Sequence, residues 1–267
     1  MVQRTSARQV RTAVLFDISH IRLVSRIDYI VNACRGKRVV DVGCVSQGRT
    51  FVATKDPDWL HGQIVDVAQR VVGLDADTEG VSVLRTQGYD CVEGDAESLD
   101  SIDFLKLLDG KVDLIVAGEV MEHLSNPGRF LDSCKRLLRI QGGSESKLIV
   151  SVPSPYWYRE MLAVMSGKEF TSSDHNYWYS PSTLSTLLGK HDFQIQSMVG
   201  YSYGSSNRIR NFRHRVIGAV AIPIVSVLLH LARTEACAYA SEEGGKTPNL
   251  LWAEGIVCTA SVKSNSN

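Results

Sequence analysis

Hydrophobic positions along the chain fall into two alternating patterns. Short runs that are apolar on both faces and rich in β-branched residues recur between stretches in which apolar residues return every three or four positions. The first run, Arg38-Val39-Val40-Asp41-Val42, leads straight into Gly43-Cys44-Val45-Ser46-Gln47-Gly48. It predicts a strand covered on both faces that ends in a turn, where Gly43 and Gly48 permit positive φ and a close backbone approach. Further strands are predicted at 71–74, 89–93, 112–117, 148–152, 192–199 and 252–262. Between them Asp56-Pro57 reads as a helix start with Leu60, Ile64, Val67 and Val71 on one face, and helices follow at 78–87, 99–108, 127–140 and from Ser180-Pro181 to Gly189. Residues 1–36 read as a helical lead-in, in which Ile18, Ile21, Leu23, Val24, Ile27 and Ile30 recur at mixed three- and four-residue steps before Gly36.

Strands alternating with helices predict an α/β fold: a doubly wound, mostly parallel, seven-stranded sheet with helices on both faces. The chain reads as one domain, 1–267, divided into the lead-in 1–36, a core 37–200, an apolar insertion 203–249 between the last two strands, and the last strand 250–263. Its 267 residues are ample for such a core.

Composition narrows the function classes. Acidic and basic residues balance at 29 each, so whole-chain charge predicts no polyanion partner. The cysteines (Cys34, Cys44, Cys91, Cys134, Cys237, Cys258) are scattered without a Cys-x-x-Cys, which suggests a reduced, cytoplasmic protein and neither a zinc site nor a disulfide framework. The N-terminus is polar and basic without an apolar core segment, so no secretory signal is expected.

Chemistry gathers where the predicted strands end. Asp41 and Gly43 follow the first strand, Asp75 the second, Asp95-Ala96 the third and Glu119 the fourth. An acid ending the second strand is placed to accept the hydroxyls of a ribose. Asp75 alone would read rather as a helix cap or a solvated loop acid, but successive turns agree. Val40-Asp41-Val42-Gly43-Cys44, Val72-Gly73-Leu74-Asp75, Glu93-Gly94-Asp95-Ala96-Glu97, the run 112–124 and Tyr179-Ser180-Pro181-Ser182-Thr183-Leu184 together resemble the motifs of the class I S-adenosylmethionine-dependent methyltransferases. The resemblance covers about Arg38 to Phe193. It implies a Rossmann-like fold and S-adenosylmethionine as cofactor. By the same resemblance, Asp41, Gly43, Cys44 and Gly48 lie near the methionine end, Asp75 near the ribose, and Asp95 with the Ala96 amide near the adenine. One position departs: Val45 stands where the family usually carries a further glycine, adding a side chain where the backbone approaches the cofactor.

The donor of such an enzyme is an activated sulfonium, so the protein must chiefly hold a nucleophile in line with it. Glu119, Glu122 and His123 stand at i, i+3 and i+4 and would share a face if the segment were helical. Glu119 and His123 are the candidate catalytic residues, as base, metal ligands or substrate orienters. Two carboxylates and an imidazole, with His175 from the loop after the fifth strand, also form a candidate Mg²⁺ or Mn²⁺ site. This Glu-x-x-Glu-His run resembles the metal motif of ubiquinone-pathway O-methyltransferases and of small-RNA 2′-O-methyltransferases. Metal-free relatives carry a similar Glu-His-Leu run, in which the histidine lies under the cofactor loop.

Arg208, Arg210, Arg213 and Arg215 precede the apolar run 216–231, which as a helix spans about 24 Å, short of the roughly 30 Å hydrocarbon core. It reads as a lid on the domain or as a peripheral membrane contact through 208–231, with arginines near anionic headgroups. Trp157, Tyr158, Tyr177, Trp178 and Tyr179 fall where an acceptor pocket is expected. The expected function is O-methylation of a small molecule. The alternatives are RNA 2′-O-methylation, which balanced charge and the lack of an RNA-binding module disfavour, and a non-catalytic S-adenosylmethionine-binding module. Acceptor and oligomeric state are not specified by the sequence.

Overall fold

The computed structural model describes residues 18, 21–45, 59–202 and 253–263. A mixed sheet runs through it. Its strands are β1 (Leu23–Ser25), β2 (Arg38–Val42), β3 (Arg70–Asp75), β4 (Cys91–Glu93), β5 (Val112–Gly118), β6 (Gly142–Pro153), β7 (Phe193–Ser202) and β8 (Gly255–Val262). They form one eight-stranded sheet in the order β1-β7-β8-β6-β5-β2-β3-β4. All pairings are parallel except those of β8, which runs antiparallel to both β6 and β7. The helices are α1 (Arg26–Cys34), α2 (Leu60–Val67), α3 (Thr78–Thr86), α4 (Phe104–Leu107), α5 (Pro127–Gln141), α6 (Tyr158–Met165) and α7 (Pro181–Lys190).

The two-residue alternation of the strands separates two cores. Val40, Val72, Ile115 and Val150 point to one face, where Phe104, Phe130, Leu131, Leu137 and Leu188 cover them. Their neighbours Val39, Val71, Leu114 and Ile149 point to the other, beneath Ile30, Cys34 and Ile64. Both faces are thus apolar and dry, which is why the strands read as unbroken hydrophobic runs.

The sheet has one strand more than the sequence predicts. Leu23–Ser25, read as helix, is extended and pairs in parallel with Gly200–Ser202 at the sheet edge. The helix begins only after it, because the Ser25 hydroxyl accepts from the Asp28 amide and caps α1. The helix expected at 99–108 is broken into a 3-10 segment, Ala96–Ser101, and the short α4. Ser98 departs from helical geometry, and Asp103 starts α4 afresh by accepting from the Lys106 amide. Helix α6 is not predicted by any sequence signal used above. The expected helix start at Asp56-Pro57, Gly48, the lead-in before Ile18 and the insertion 203–249 lie outside the described residues. Among the described residues no helix is long and apolar enough to cross a membrane.

Candidate active site

Register brings the tips of β2, β3, β4 and β5 to one edge, with Val42 beside Leu74 and Ala117, and Asp75 beside Glu93. A cavity of about 510 Å³ opens there, lined among others by Asp41, Gly43, Cys44, Asp75, Asp95, Ala96, Glu119 and His123. Glycine is required at its floor. Gly43 has φ +79°, and a Cβ there would meet Val120 Cγ2 at 2.6 Å. Its amide donates to the Leu74 carbonyl at 2.8 Å, which ties the turn to the tip of β3.

Asp75 closes that tip. Its carboxylate accepts from the Val45 amide at 2.9 Å and the Asp77 amide at 3.0 Å. Burial raises its pKa, against the lowering effect of those hydrogen bonds. Val45 therefore has a place of its own. Its amide anchors Asp75, and its methyl groups fill the space over Gly80 in α3, where an added Cβ would meet Val45 Cγ1 at 2.5 Å. The missing glycine on β2's turn is answered by a glycine on the facing helix. Asp95 caps the 3-10 segment by accepting from the Glu97 amide at 2.8 Å, and Ala96 is buried behind it.

The other end of the cavity is built from side chains. Glu119 has φ +60°, and its amide donates to the Ser151 carbonyl at 3.0 Å. Its carboxylate accepts hydrogen bonds from the Tyr201 hydroxyl and from Ser151 Oγ, the latter at 3.3 Å. Ser151 Oγ in turn accepts from Arg26 Nε at 2.9 Å, and the Arg26 guanidinium lies 5.8 Å from the Tyr201 ring centroid. Arg26 lines the cavity from the first position of α1. No pattern in the sequence marks Arg26, Ser151 or Tyr201, which join across separations of more than a hundred residues in one case and about eighty in another.

The segment after Glu119 is a turn rather than a helix, so Glu119 and Glu122 do not share a helical face. Glu122 points inward, fully buried, and among the described residues neither of its carboxylate oxygens has a hydrogen-bond partner. Burial, with the nearby Glu119 charge, raises its pKa to about 9. His123 Nδ1 lies 3.1 Å from Asp174 Oδ2, and its ring stands edge-on to His175 with centroids 4.8 Å apart. One ligand atom from each of Glu122, His123 and His175 falls within 4.8 Å of the others. The loop carrying His175 is strapped to this turn: the Asn176 amide donates to the Glu122 carbonyl at 2.7 Å, and Asn176 Nδ2 to the His123 carbonyl at 2.9 Å. The aromatic residues expected in an acceptor pocket do not line the cavity. Tyr179 is buried and donates to the Met121 carbonyl, Tyr177 donates to that of Ser125, and Trp157 stacks with Tyr158 and Arg159.

Known proteins are similar to this chain in sequence and in fold. A family profile described as a methyltransferase domain matches residues 40–143. Over that segment the chain is similar to the class I S-adenosylmethionine-dependent methyltransferases. It is 27% identical over 186 residues to a Mycolicibacterium smegmatis protein named "probable S-adenosylmethionine-dependent methyltransferase", covering 69% of this chain and 63% of that one. It is 25% identical over 194 residues to the ubiquinone biosynthesis O-methyltransferase of Nitrosococcus oceani, covering 71% and 76% of the two chains. The match thus spans less than two thirds of the first relative. Among solved structures, a methyltransferase from Archaeoglobus fulgidus superposes with a TM-score of 0.51 at 13% identity, covering 88% and 90%. The magnesium protoporphyrin IX methyltransferase of Synechocystis PCC 6803 superposes with 0.50 at 14%, covering 89% and 82%. The methyltransferase fold is shared with both.

Proposed function

We propose that the protein transfers a methyl group from S-adenosylmethionine to an oxygen of a small molecule. The observation carrying this reading is that one cavity joins the backbone turn at Gly43 and the Asp75 carboxylate to Glu119 and His123. Asp75 is the acid for the ribose, Asp95 with Ala96 faces the adenine, and the Gly43–Cys44 turn accepts the methionine end. The sulfonium supplies an already activated methyl carbon. Glu119, held by Tyr201 and Ser151, and the imidazole of His123 then take up the acceptor's proton and orient its oxygen. The names of the ubiquinone-pathway relatives support oxygen as the methylated atom. Labelled donor incubated with aqueous and lipid fractions of a cell extract identifies the acceptor; label appearing only in RNA would replace this reading.

A second element concerns a divalent cation. A buried carboxylate with both oxygens unpartnered is costly unless it is protonated or neutralised by a cation. Glu122, His123 and His175 offer one oxygen and two nitrogen donors, fewer oxygens than Mg²⁺ prefers, so Mn²⁺ is the better fit of the two, and such an ion would lower the acceptor hydroxyl's pKa. Turnover lost with chelator and regained with Mn²⁺ is expected; turnover indifferent to chelator removes the ion. The same reading places the protein in the cytoplasm, with peripheral contact through 208–231 to anionic membranes. Failure to float with anionic vesicles at low salt would sink that contact.

A further inference from the structure

Strand β3 lies between β2 and β4, and Gly73 leaves it bare of a side chain beside Cys91. Side chains from three other elements meet over that gap. A Cβ on Gly73 would lie 2.7 Å from Cys44 Sγ and 2.9 Å from His61 Cε1. The Cys44 thiol donates to Cys91 Sγ at 4.0 Å, Cys91 Sγ lies 4.0 Å from His61 Nε2, and His61 Nδ1 lies 2.8 Å from Asp41 Oδ2. An acid, an imidazole and two sulfurs thus form a continuous chain, and all four residues are buried. Trp59 and Tyr89 stack against the imidazole and close its sides.

Charge within the chain is ordered. Burial lowers the His61 pKa, but its hydrogen bonds to Asp41 and Cys91 outweigh that and raise it to about 9. The hydrogen bond from Cys44 lowers the Cys91 pKa; burial opposes this, and His61 adds to the lowering. Cys44 is held high by the same hydrogen bond, by burial, and by the charges of Asp41 and Asp75. Arg85 faces the Cys91 carbonyl rather than its sulfur. Of the two sulfurs, Cys91, which accepts the hydrogen bond and faces the His61 imidazole, is the one biased toward thiolate, the reactive form of cysteine.

We propose that Cys91 and Cys44 form a peroxide-reactive dithiol beneath the donor cleft, with His61 and Asp41 as positioning residues. The Cys91 thiolate attacks a peroxide oxygen. The O–O bond breaks, and the departing hydroxide takes the His61 proton and leaves as water. The Cys44 thiol then attacks the resulting sulfenic sulfur; an S–S bond forms, the S–O bond breaks, and a second water carries away the Cys44 proton. Two thiols lose two electrons and one peroxide becomes two waters. The sulfurs must close from 4.0 Å to a bond of about 2.05 Å. Cys44 lies beyond the end of β2, so its turn is the part that gives. That turn carries the Val45 amide bonded to Asp75, so the disulfide weakens donor binding. Cys44, His61 and Asp41 line the cavity, which is the route for peroxide and is covered when donor binds. Only this last link rests on the proposed donor site.

The test uses the reduced full-length chain, treated with hydrogen peroxide with and without S-adenosylhomocysteine, then alkylated and mapped by mass spectrometry. The expected product is a Cys44–Cys91 linked peptide pair, lighter by two hydrogens and reversed by dithiothreitol. Cys44→Ser should leave a Cys91 sulfenic acid that dimedone traps. His61→Gln should move the pH profile of iodoacetamide labelling at Cys91 upward and slow labelling at pH 6 by about tenfold. Oxidation that leaves Cys44 and Cys91 unlinked overturns the proposal, as does labelling at Cys91 with the pH profile of an ordinary thiol. If His61→Gln does not fold, the wild-type profile decides alone. A linked peptide in a protein that binds no S-adenosylhomocysteine keeps the dithiol and overturns the donor site instead.

Discussion

The two ends of the cleft are built on different principles. The proposed donor end is backbone: turns following β2, β3 and β4, a glycine at positive φ, and an aspartate held by two amides. The proposed acceptor end is a side-chain mesh in which Arg26, Ser151, Glu119 and Tyr201 come from α1, β6, the tip of β5 and β7. The first needs only that neighbouring strands pair in register. The second needs the whole sheet closed, because β7 reaches β6 only through β8. On the proposed reading, cofactor binding falls to local structure, and choosing an acceptor to contacts between residues about 80 to 125 positions apart.

Single substitutions should separate the two ends. The largest effect is expected from Glu119→Gln, which should reduce turnover by about 10² to 10⁴ while calorimetry finds donor affinity nearly unchanged; equal loss of both would erase the distinction. Asp75→Ala should do the reverse. Removing an acid that hydrogen-bonds a ribose costs about 1.5–3 kcal/mol, roughly a ten- to hundredfold weaker donor affinity. Unchanged donor binding in that variant would refute the donor site. These contrasting outcomes follow from residues of different visibility: Asp75 is marked by its place at the end of an apolar run, whereas Tyr201 is one aromatic among many.

Gly255→Ala probes the mesh from behind. An added Cβ would collide with the Tyr201 phenol, and overpacking of this kind typically costs about 1–3 kcal/mol. The melting temperature should fall by several degrees and turnover with it, with donor affinity retained; a normal melting temperature would show that Tyr201 has room to move. The smallest effect is expected outside the cleft, at Asp100. Its hydrogen bond from Arg136, with that from Ser133, lowers its pKa to about 2. A depressed carboxylate stabilises the fold above its unfolded value near 3.8 and loses that stabilisation as pH falls toward 2. Because the Arg136 side chain is half exposed, about 1 kcal/mol is expected. Asp100→Asn should flatten acid unfolding between pH 4 and 2 by that amount and leave both ends of the cleft intact. Acid unfolding with an unchanged slope would remove the assigned role.

Much of the architecture could be read in advance because it is written in short-range pattern. The runs at Val39–Val42 and 112–117 are apolar on both faces, and only a strand buried between helix layers requires that. Asp41 lies near the end of β2, Gly43 just past it, Asp75 at the end of β3, and Asp95 and Ala96 shortly after β4, so locating the strands located these proposed donor residues. Leu23–Ser25 departs from the predicted helix because a three-residue strand has too few positions to establish a period, and its pairing partner lies far along the chain. Glu119, Glu122 and His123 keep the spacing of a helical face, but a positive φ at Glu119 turns the segment and sends Glu122 into the interior. Cys44 and Cys91 share no sequence motif, and only the insertion of β3 between their strands, with glycine at position 73, brings their sulfurs together. Local hydrophobic periodicity determined which segments are strands and where their polar tips lie. Tertiary structure alone decided which side chains meet across those tips, because such meetings depend on strand order and not on spacing along the chain.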